Sequence, residues 1–362
     1  MTDYKPTKGF QDAFAPPAPR RGKRERPVLS GGGSKGGSGA RSASPAAKAR
    51  LARVATKAPE VMVKVTSRTK DAGHLRAHLE YISRNGEVPL ETRDGSLLLG
   101  RGSIHDYGDG WAAEVEADPR HRASSPYSVN VMLSMPPGTD PAKVTDAVRA
   151  FARETFEDRF EYAFAYHGDT KHPHVHLTVR PVGDDRERLN PRKADLEQWR
   201  QTFAQKLRDR GVAAEATPRR ARGVTKKAQK TPIRKMVEKG AAPNVLRQAR
   251  IEAGRAAFGR DNDLRPWEAA SVARQKEIRS IYLREAKDLA ASKSPEDQAL
   301  AKRLEQFVRS MPQPDSQRLS MARELREAYE RQQAARATEG RGRDEGPQNE
   351  TPDPTKDRGR GR

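Results

Sequence analysis

Tyr166-His-Gly-Asp-Thr-Lys-His-Pro-His-Val-His-Leu-Thr-Val179 is the stretch whose reading decides the fold. After Pro173 the side chains alternate as on a β-strand. His174, His176 and Thr178 then share one face, and Val175, Leu177 and Val179 share the other. The preceding run Phe160-Glu-Tyr-Ala-Phe-Ala-Tyr166 alternates as strictly and is rich in aromatic residues, so it reads as a second strand. Gly168, Asp169 and Pro173 mark a tight connection between the two, and an antiparallel hairpin carries His167 back across from His174 and His176. Three imidazoles grouped in this way are the raw material of a divalent-metal site, and Asp169 is placed to orient one ring through its second nitrogen. The bland alternative is a set of surface histidines on an edge hairpin. Four of the eight histidines of the chain fall between His167 and His176, which favours a site. His172, beside the turn proline, reads equally as a site residue or a plain turn residue.

The composition narrows the partner. The 362 residues carry 70 Lys and Arg against 49 Asp and Glu, a net charge of +21, with an isoelectric point near 10.2. Such a balance points to a polyanion, and to nucleic acid before an anionic membrane, because no apolar segment approaches transmembrane length. The N-terminus has no apolar stretch like a signal peptide. Cysteine is absent, which excludes thiolate metal sites, disulfides and cysteine nucleophiles and fits a reducing cytoplasm.

Outward from the hairpin, the sequence divides into four segments. Residues 1–57 read as a disordered basic arm, with the cluster Arg20-Arg21-Gly-Lys23-Arg24 and a glycine run at 31–39 that lacks the order of a nucleotide-binding loop. Residues 58–225 read as an α+β domain with an antiparallel central sheet. In it Val61–Val65 and Ser128–Ser134 are strands, and Asp71 caps a helix over 72–85 that stops at Gly86. Asp140-Pro141 opens an amphipathic helix, and a further helix over 193–210 carries Leu196, Trp199, Phe203 and Leu207 on one stripe. The stretch 87–125, rich in charge and glycine, gives no clear pattern. Residues 226–338 read as a helical DNA- or partner-binding region, with helices over 244–258 and 265–335 and a break near Pro312 and Pro314. Its apolar positions, among them Ile278, Ile281, Leu283 and Leu289, are too sparse for a large independent core. Residues 339–362 form a low-complexity Arg/Gly tail.

A second informative segment is His74-Leu-Arg-Ala-His78-Leu-Glu-Tyr81-Ile-Ser-Arg84-Asn-Gly86. On a helix Leu75, Leu79 and Ile82 form the core stripe. Tyr81 lies about 120° from its centre, on the flank of His74 and His78, with Arg84 one turn on. A partly exposed tyrosine without a role is the plain reading. The imidazole cluster favours chemistry instead. A divalent ion can polarise a phosphodiester, and a tyrosine hydroxyl can then attack phosphorus. The phosphotyrosyl bond conserves the energy of the cut bond, so rejoining needs no ATP.

His167-x-Asp169-x-x-His172-Pro-His174-x-His176, taken with Leu79-Glu-Tyr81-x-Ser-Arg84-x-Gly86, resembles the conjugative relaxases, or mobilisation nucleases, of the MobP-class subgroup that includes the agrobacterial T-DNA border endonuclease. The likeness covers roughly residues 59–225, including the Arg219–Gly223 segment. It implies a nuclease fold of the HUH type, a five-stranded antiparallel sheet with flanking helices, and cleavage of one DNA strand at a transfer origin. It further implies Tyr81 as the nucleophile that keeps the 5′ phosphate, His174 and His176 as metal ligands, His167 as third ligand or general base, and Asp169 as its orienter. The implied cofactor is Mg²⁺ or Mn²⁺. Lys171 departs from the pattern, standing where an acidic residue is expected. The implied partners are single-stranded origin DNA, relaxosome accessory proteins and a type IV coupling protein, in a bacterial cytoplasm from which the protein can pass with DNA into a recipient cell. Arg341, Arg343, Arg358, Arg360 and Arg362 resemble a type IV secretion signal.

A basic groove with aromatic platforms suits a single strand. Its candidates are Arg84, Lys64, Arg68, Arg101 and Arg180, with Tyr107 or Trp111 for stacking. Two other functions compete: a rolling-circle replication initiator or transposase with the same chemistry, and a non-catalytic DNA-binding transfer accessory protein. Neither a helicase segment nor a second motif tyrosine is evident, which favours transfer over replication, and the intact Tyr81, His174 and His176 weigh against the accessory protein.

Overall fold

The computed structural model describes residues 4, 6–7, 10–14, 43–184, 187–225, 229–259 and 263–341. In chain order the elements are α1 (Phe10–Phe14), α2 (Ala43–Ala55), β1 (Met62–Thr69), α3 (Ala72–Ile82), β2 (Leu90–Thr92), β3 (Leu97–Leu98), α4 (Arg101–Ala117), β4 (Ser128–Ser134), α5 (Pro141–Phe156), β5 (Tyr162–His167), β6 (His174–Val179) and α6 (Lys193–Arg208). A 3₁₀ turn at Arg219–Arg222 precedes α7 (Thr231–Glu238), α8 (Asn244–Phe258), α9 (Pro266–Ala290), α10 (Pro295–Ser310) and α11 (Gln317–Arg341). The chain forms two compact units, one of residues 1–224 with 277–312 and the other of 225–276 with 313–362.

The sheet of the first unit has six strands rather than the expected five, in the order β1-β4-β6-β5-β2-β3, every neighbour antiparallel. Two of the six, β2 and β3, come from 87–125, which the sequence left unread because they are three and two residues long, too short to show a period. On one face Val129, Val131, Leu133, Tyr162, Phe164, Val175, Leu177 and Val179 meet Val144, Val148 and Phe151 of α5 and Trp199, Phe203 and Leu207 of α6. Burying side chains of this size stabilises the fold by about 1.5–3 kcal/mol each. The opposite face of β5 offers only Ala163 and Ala165, and α3 packs there through Leu75, Leu79 and Ile82 beside Ile104, Trp111 and Val115 of α4. Across β4 and β1 that face is polar. Thr69 and Ser128 hydroxyls are 2.8 Å apart, Ser128 donates to Asn130 Oδ1 at 2.8 Å, and the Asn130 amide donates to Ser67 Oγ at 3.0 Å.

The first unit also contains a second core, which corrects the reading of 1–57 as a disordered arm for its described residues in α1 and α2. Phe10 and Phe14 of α1, Leu51 and Val54 of α2, Ile278, Ile281, Tyr282 and Leu289 of α9, and Leu304 and Phe307 of α10 are buried together. Helix α2 is fastened by Arg53, whose Nε donates to buried Glu215 at 2.6 Å. The stripe Ala47, Leu51, Val54 has helical spacing, but alanine and basic residues around it hide the signal. The basic cluster at 20–24 and the glycine run at 31–39 lie outside the described residues, as does the Arg/Gly tail beyond Arg341.

The region expected as one helical segment over 226–338 is divided between the units. The expected helix over 265–335 is three helices, with an additional break where Ser294 caps α10 ahead of Pro295. Ile278, Ile281 and Leu289 are not spare surface residues but belong to the second core, whereas Leu283 is exposed. In the second unit Ala256 and Ala257 of α8 pack against Ala322, Leu319 and Leu325 of α11. Arg318 and Glu268 form a buried ion pair with Nη2 to Oε2 at 2.9 Å. Among the described residues no helix is long and apolar enough to cross a membrane.

Helix α3 begins as its sequence predicts, with the His74 N–H donating to Asp71 Oδ1 at 2.7 Å. It ends three residues early, at a left-handed turn in which Arg84, Asn85 and Gly86 have φ of 52°, 58° and 89°. A Cβ at Gly86 would lie 2.5 Å from the carbonyl carbon of Gly100 and 2.6 Å from the nitrogen of Arg101, both backbone atoms unable to yield. Gly86→Ala is therefore expected to lose about 2 kcal/mol or more of stability, read as a lower urea midpoint at unchanged slope. Gly110→Ala, where a Cβ meets nothing within 4 Å, is expected to be neutral or to gain up to about 1 kcal/mol.

Candidate active site

The register of the hairpin gathers the imidazoles. His167 stands opposite His174, and Ala165 opposite His176, so the three rings lie on the face away from the apolar core. Their centroids are separated by 4.6 Å (His167–His176), 5.1 Å (His174–His176) and 5.3 Å (His167–His174). One donor nitrogen from each lies within 4.8 Å of the others, so small rotations let all three reach one ion at bonds of about 2.1 Å. His172 is not part of the group. Its ring is exposed, and its contribution is the backbone carbonyl.

Hydrogen bonds fix the tautomers of two of the rings. His167 Nε2 lies 2.7 Å from the carbonyl oxygen of Ile82, which can only accept, so Nε2 carries the proton and Nδ1 the lone pair. His174 Nδ1 lies 3.0 Å from the carbonyl of His172, so the lone pair of that ring is on Nε2. Such backbone acceptors orient metal-binding imidazoles. Burial lowers the pKa of His167, and burial reinforced by the neighbouring His167 and His174 rings lowers that of His176 to about 3. Neutral imidazoles are the form that binds metal.

Tyr81 faces this cluster from α3. Its ring centroid is 5.9 Å from that of His176 and 6.2 Å from that of His167, and the residue is 55% exposed, open to a ligand in the cleft. Arg84, reaching in from the left-handed turn, has its guanidinium carbon 5.3 Å from the Tyr81 ring centroid. Its Nη2 donates to His167 Nδ1 at 3.2 Å and forms an ion pair with Asp169. Asp169 thus does not contact a ring nitrogen of His167. It acts on that ring through Arg84, because the second nitrogen is already taken by Ile82. The carbonyl of Ile82 has no signature in a side-chain pattern, and Arg84 carried one only through its spacing from Tyr81. His74 is exposed, bound to Asp71 rather than to the site. His78 turns inward instead, with Nε2 3.0 Å from Thr178 Oγ1.

The expected DNA contacts separate into two groups. Lys64 and Arg68 are exposed on β1, Arg68 with a single long hydrogen bond of 3.4 Å to Asn190. Arg180 is tied to Glu114 and Asp184, and Arg101 to Glu80, so neither is a free cation. Of the proposed stacking residues, Trp111 is a core residue and Tyr107 is partly buried against the same cluster. Trp111 is 3% exposed and its indole N–H donates to the Tyr127 carbonyl at 2.9 Å, while the Tyr107 hydroxyl donates to Glu161 at 2.9 Å. Both face inward because α4, which the sequence left unassigned, turns that side toward α3 and the sheet.

The family described as "Relaxase: MobA/VirD2-like, nuclease domain" matches residues 93–212, the part of the chain that holds most of this sheet and its histidine cluster. The match contains His167, Asp169, His174 and His176, and Tyr81 precedes it. Among curated proteins the chain is similar to the T-DNA border endonuclease VirD2 of Agrobacterium fabrum (strain C58), 25% identical over 225 residues, which are 56% of this chain and 50% of that protein. The proteins of the same name from Rhizobium radiobacter and Rhizobium rhizogenes are 26% identical over 175 residues and 27% over 172, covering 44% and 43% of this chain and 41% and 39% of theirs. The chain thus spans half or less of the length of these relatives. A solved chain from "Molecular Basis of Vancomycin Resistance Transfer in Staphylococcus aureus" is matched over 44% of this chain and 99% of its own at 14% identity, with a TM-score of 0.31, too low to bear on the fold.

Burial holds the pKa of His78 down to about 4, whereas an unfolded histidine titrates near about 6.5. Between those values the unfolded chain binds more protons than the folded one, so stability falls as pH drops from 6.5 toward 4. His78→Gln is expected to lose about 1–2 kcal/mol less than the parent protein when urea unfolding at pH 4.5 is compared with pH 7. Equal losses would remove His78 from this account.

Proposed function

We propose that this chain is a site- and strand-specific relaxase that nicks one strand at the transfer origin of a mobile element and holds the 5′ end as a phosphotyrosyl link. The observation that carries the reading is the Tyr81 ring lying 5.9 and 6.2 Å from two rings of a three-histidine cluster, open to solvent. The HUH-type fold is part of the same proposal. It is supported by the antiparallel sheet with helices on both faces and by the paired histidines on β6.

His167 through Nδ1, His174 through Nε2 and His176 would hold a divalent ion. When bound, that ion supplies Lewis acidity to a non-bridging oxygen of the scissile phosphate. Three neutral imidazoles with no carboxylate among them suit Mn²⁺ or a later first-row ion better than oxygen-seeking Mg²⁺. Lys171, exposed on the hairpin connection, adds no acidic ligand.

Tyr81 Oη attacks phosphorus as the bond from phosphorus to O3′ breaks. The phenolic proton leaves to solvent at this exposed hydroxyl, and the departing O3′ takes up a proton in turn. His167 is a ligand rather than the general base in this reading, since its one free lone pair points at Arg84 and not at Tyr81. Rejoining is the reverse displacement, with O3′ attacking and Oη leaving. Exposed Lys64 and Arg68 on β1 would contact backbone phosphates of the bound strand. The linked strand would then be piloted in conjugative transfer, through relaxosome accessory proteins and a type IV coupling protein, out of the bacterial cytoplasm.

Incubation of pooled single-stranded oligonucleotides from the neighbouring DNA with protein and Mn²⁺ is expected to give an adduct stable to denaturing electrophoresis, with the DNA linked to Tyr81. Tyr81→Phe should lower adduct formation by about 10³-fold or more. An adduct that persists in Tyr81→Phe, or that maps to another residue, would refute the assigned nucleophile.

A further inference from the structure

Arg84 holds the position that a cation must take. The sole lone pair of His167 is on Nδ1, because Nε2–H is committed to the Ile82 carbonyl. That lone pair accepts from Arg84 Nη2 at 3.2 Å, and it is the same pair that would join His174 and His176 around an ion. An imidazole nitrogen cannot accept a hydrogen bond and coordinate a metal through one lone pair. Two cations at that point would also repel one another.

The backbone keeps the arginine there at a cost. Arg84 and Asn85 are both non-glycine residues with positive φ, a conformation that persists only where the surroundings impose it. They do so through three bonds: Asn85 N–H to the Glu80 carbonyl at 2.8 Å, Val88 N–H to the Ser83 carbonyl at 2.8 Å, and Gly100 N–H to the Gly86 carbonyl at 2.9 Å. The guanidinium is thereby set between His167, Asp169 and the Tyr81 ring.

We propose that Arg84 is a built-in cation latch on the metal site: it occupies the third ligand position in the metal-free protein and is displaced from His167 when a divalent ion binds. Asp169 retains the displaced guanidinium near the cleft. There, beside the Tyr81 ring, it is available to a phosphate oxygen. Metal loading and presentation of Arg84 to the substrate are then one event. This rests on the three-histidine metal site proposed above.

The test is Mn²⁺ affinity by isothermal titration calorimetry on the full chain without DNA. Arg84→Asn suits the left-handed backbone, since asparagine tolerates positive φ, and Arg84→Gln keeps more of the side chain. Both are expected to bind Mn²⁺ tenfold or more tightly than the parent protein, with unchanged thermal unfolding in the absence of metal. His176→Ala should bind at least tenfold more weakly. In the parent protein, Mn²⁺ or a diamagnetic substitute such as Zn²⁺ should shift the ¹⁵N resonances of the Arg84 guanidinium as well as those of His167. If His176→Ala weakens binding but both Arg84 variants bind no more tightly than the parent, the latch is refuted while the metal site stands. If binding is unaffected by His176→Ala, the metal site itself is wrong, and the latch falls with it.

Discussion

The pairing of β5 with β6 is the constraint on which the site depends. His167 faces His174 and Ala165 faces His176 only in the observed register, and a slip of one residue would turn every side chain of one strand to the other side of the sheet. Nothing about the imidazoles themselves enforces that register. It is enforced from below by Val175, Leu177 and Val179, each buried against α5 and α6. Those three side chains contribute several kilocalories per mole to one alignment and none to its slipped neighbours. The chemistry of one face is held in place by the hydrophobicity of the other.

A second constraint is one of size. Ala163 and Ala165 leave room for α3 to settle on β5, and Leu75, Leu79 and Ile82 fill that room. Tyr81 is then carried to the rim because it lies between Leu79 and Ile82 in sequence but off their stripe. The last turn of the same helix brings the Ile82 carbonyl to His167. One packing contact therefore sets both the position of the candidate nucleophile and the tautomer of a candidate ligand. Larger residues at 163 or 165 would lift the helix and disturb the two together.

The hairpin, the caps at Asp71 and Asp140, the strand at 128–134 and the helix at 244–258 were legible because each rests on local periodicity or a local hydrogen bond. The three-histidine group was legible for the same reason, since strand alternation and a short turn suffice to bring it together. What escaped was everything set by distant packing. Trp111 and Tyr107 look like surface platforms in a stretch without a pattern, yet tertiary contacts bury the first and partly cover the second. Arg180 looks like a free cation until Glu114, distant in sequence, joins its near neighbour Asp184 against it. Asp169 was expected at His167, and a backbone carbonyl took that place first. The small α2 stripe could not be distinguished from a basic linker without the helices that cover it.

Those covering helices come from the far side of the sequence. Leu51 and Val54 are buried with Ile278, Tyr282, Leu304 and Phe307, and the Tyr282 hydroxyl donates to the Ala221 carbonyl at 2.9 Å. The first unit is consequently not finished when β6, its last strand, leaves the ribosome. At roughly 5–20 residues per second, about ten to forty seconds of translation separate residue 55 from residue 277. Throughout that interval the apolar stripe of the first long helix lacks the cover of α9 and α10, so a nascent chain is at its most vulnerable to chaperone capture or self-association well after the histidine hairpin has formed. Shortening the gene after codon 225 would make that transient exposure permanent.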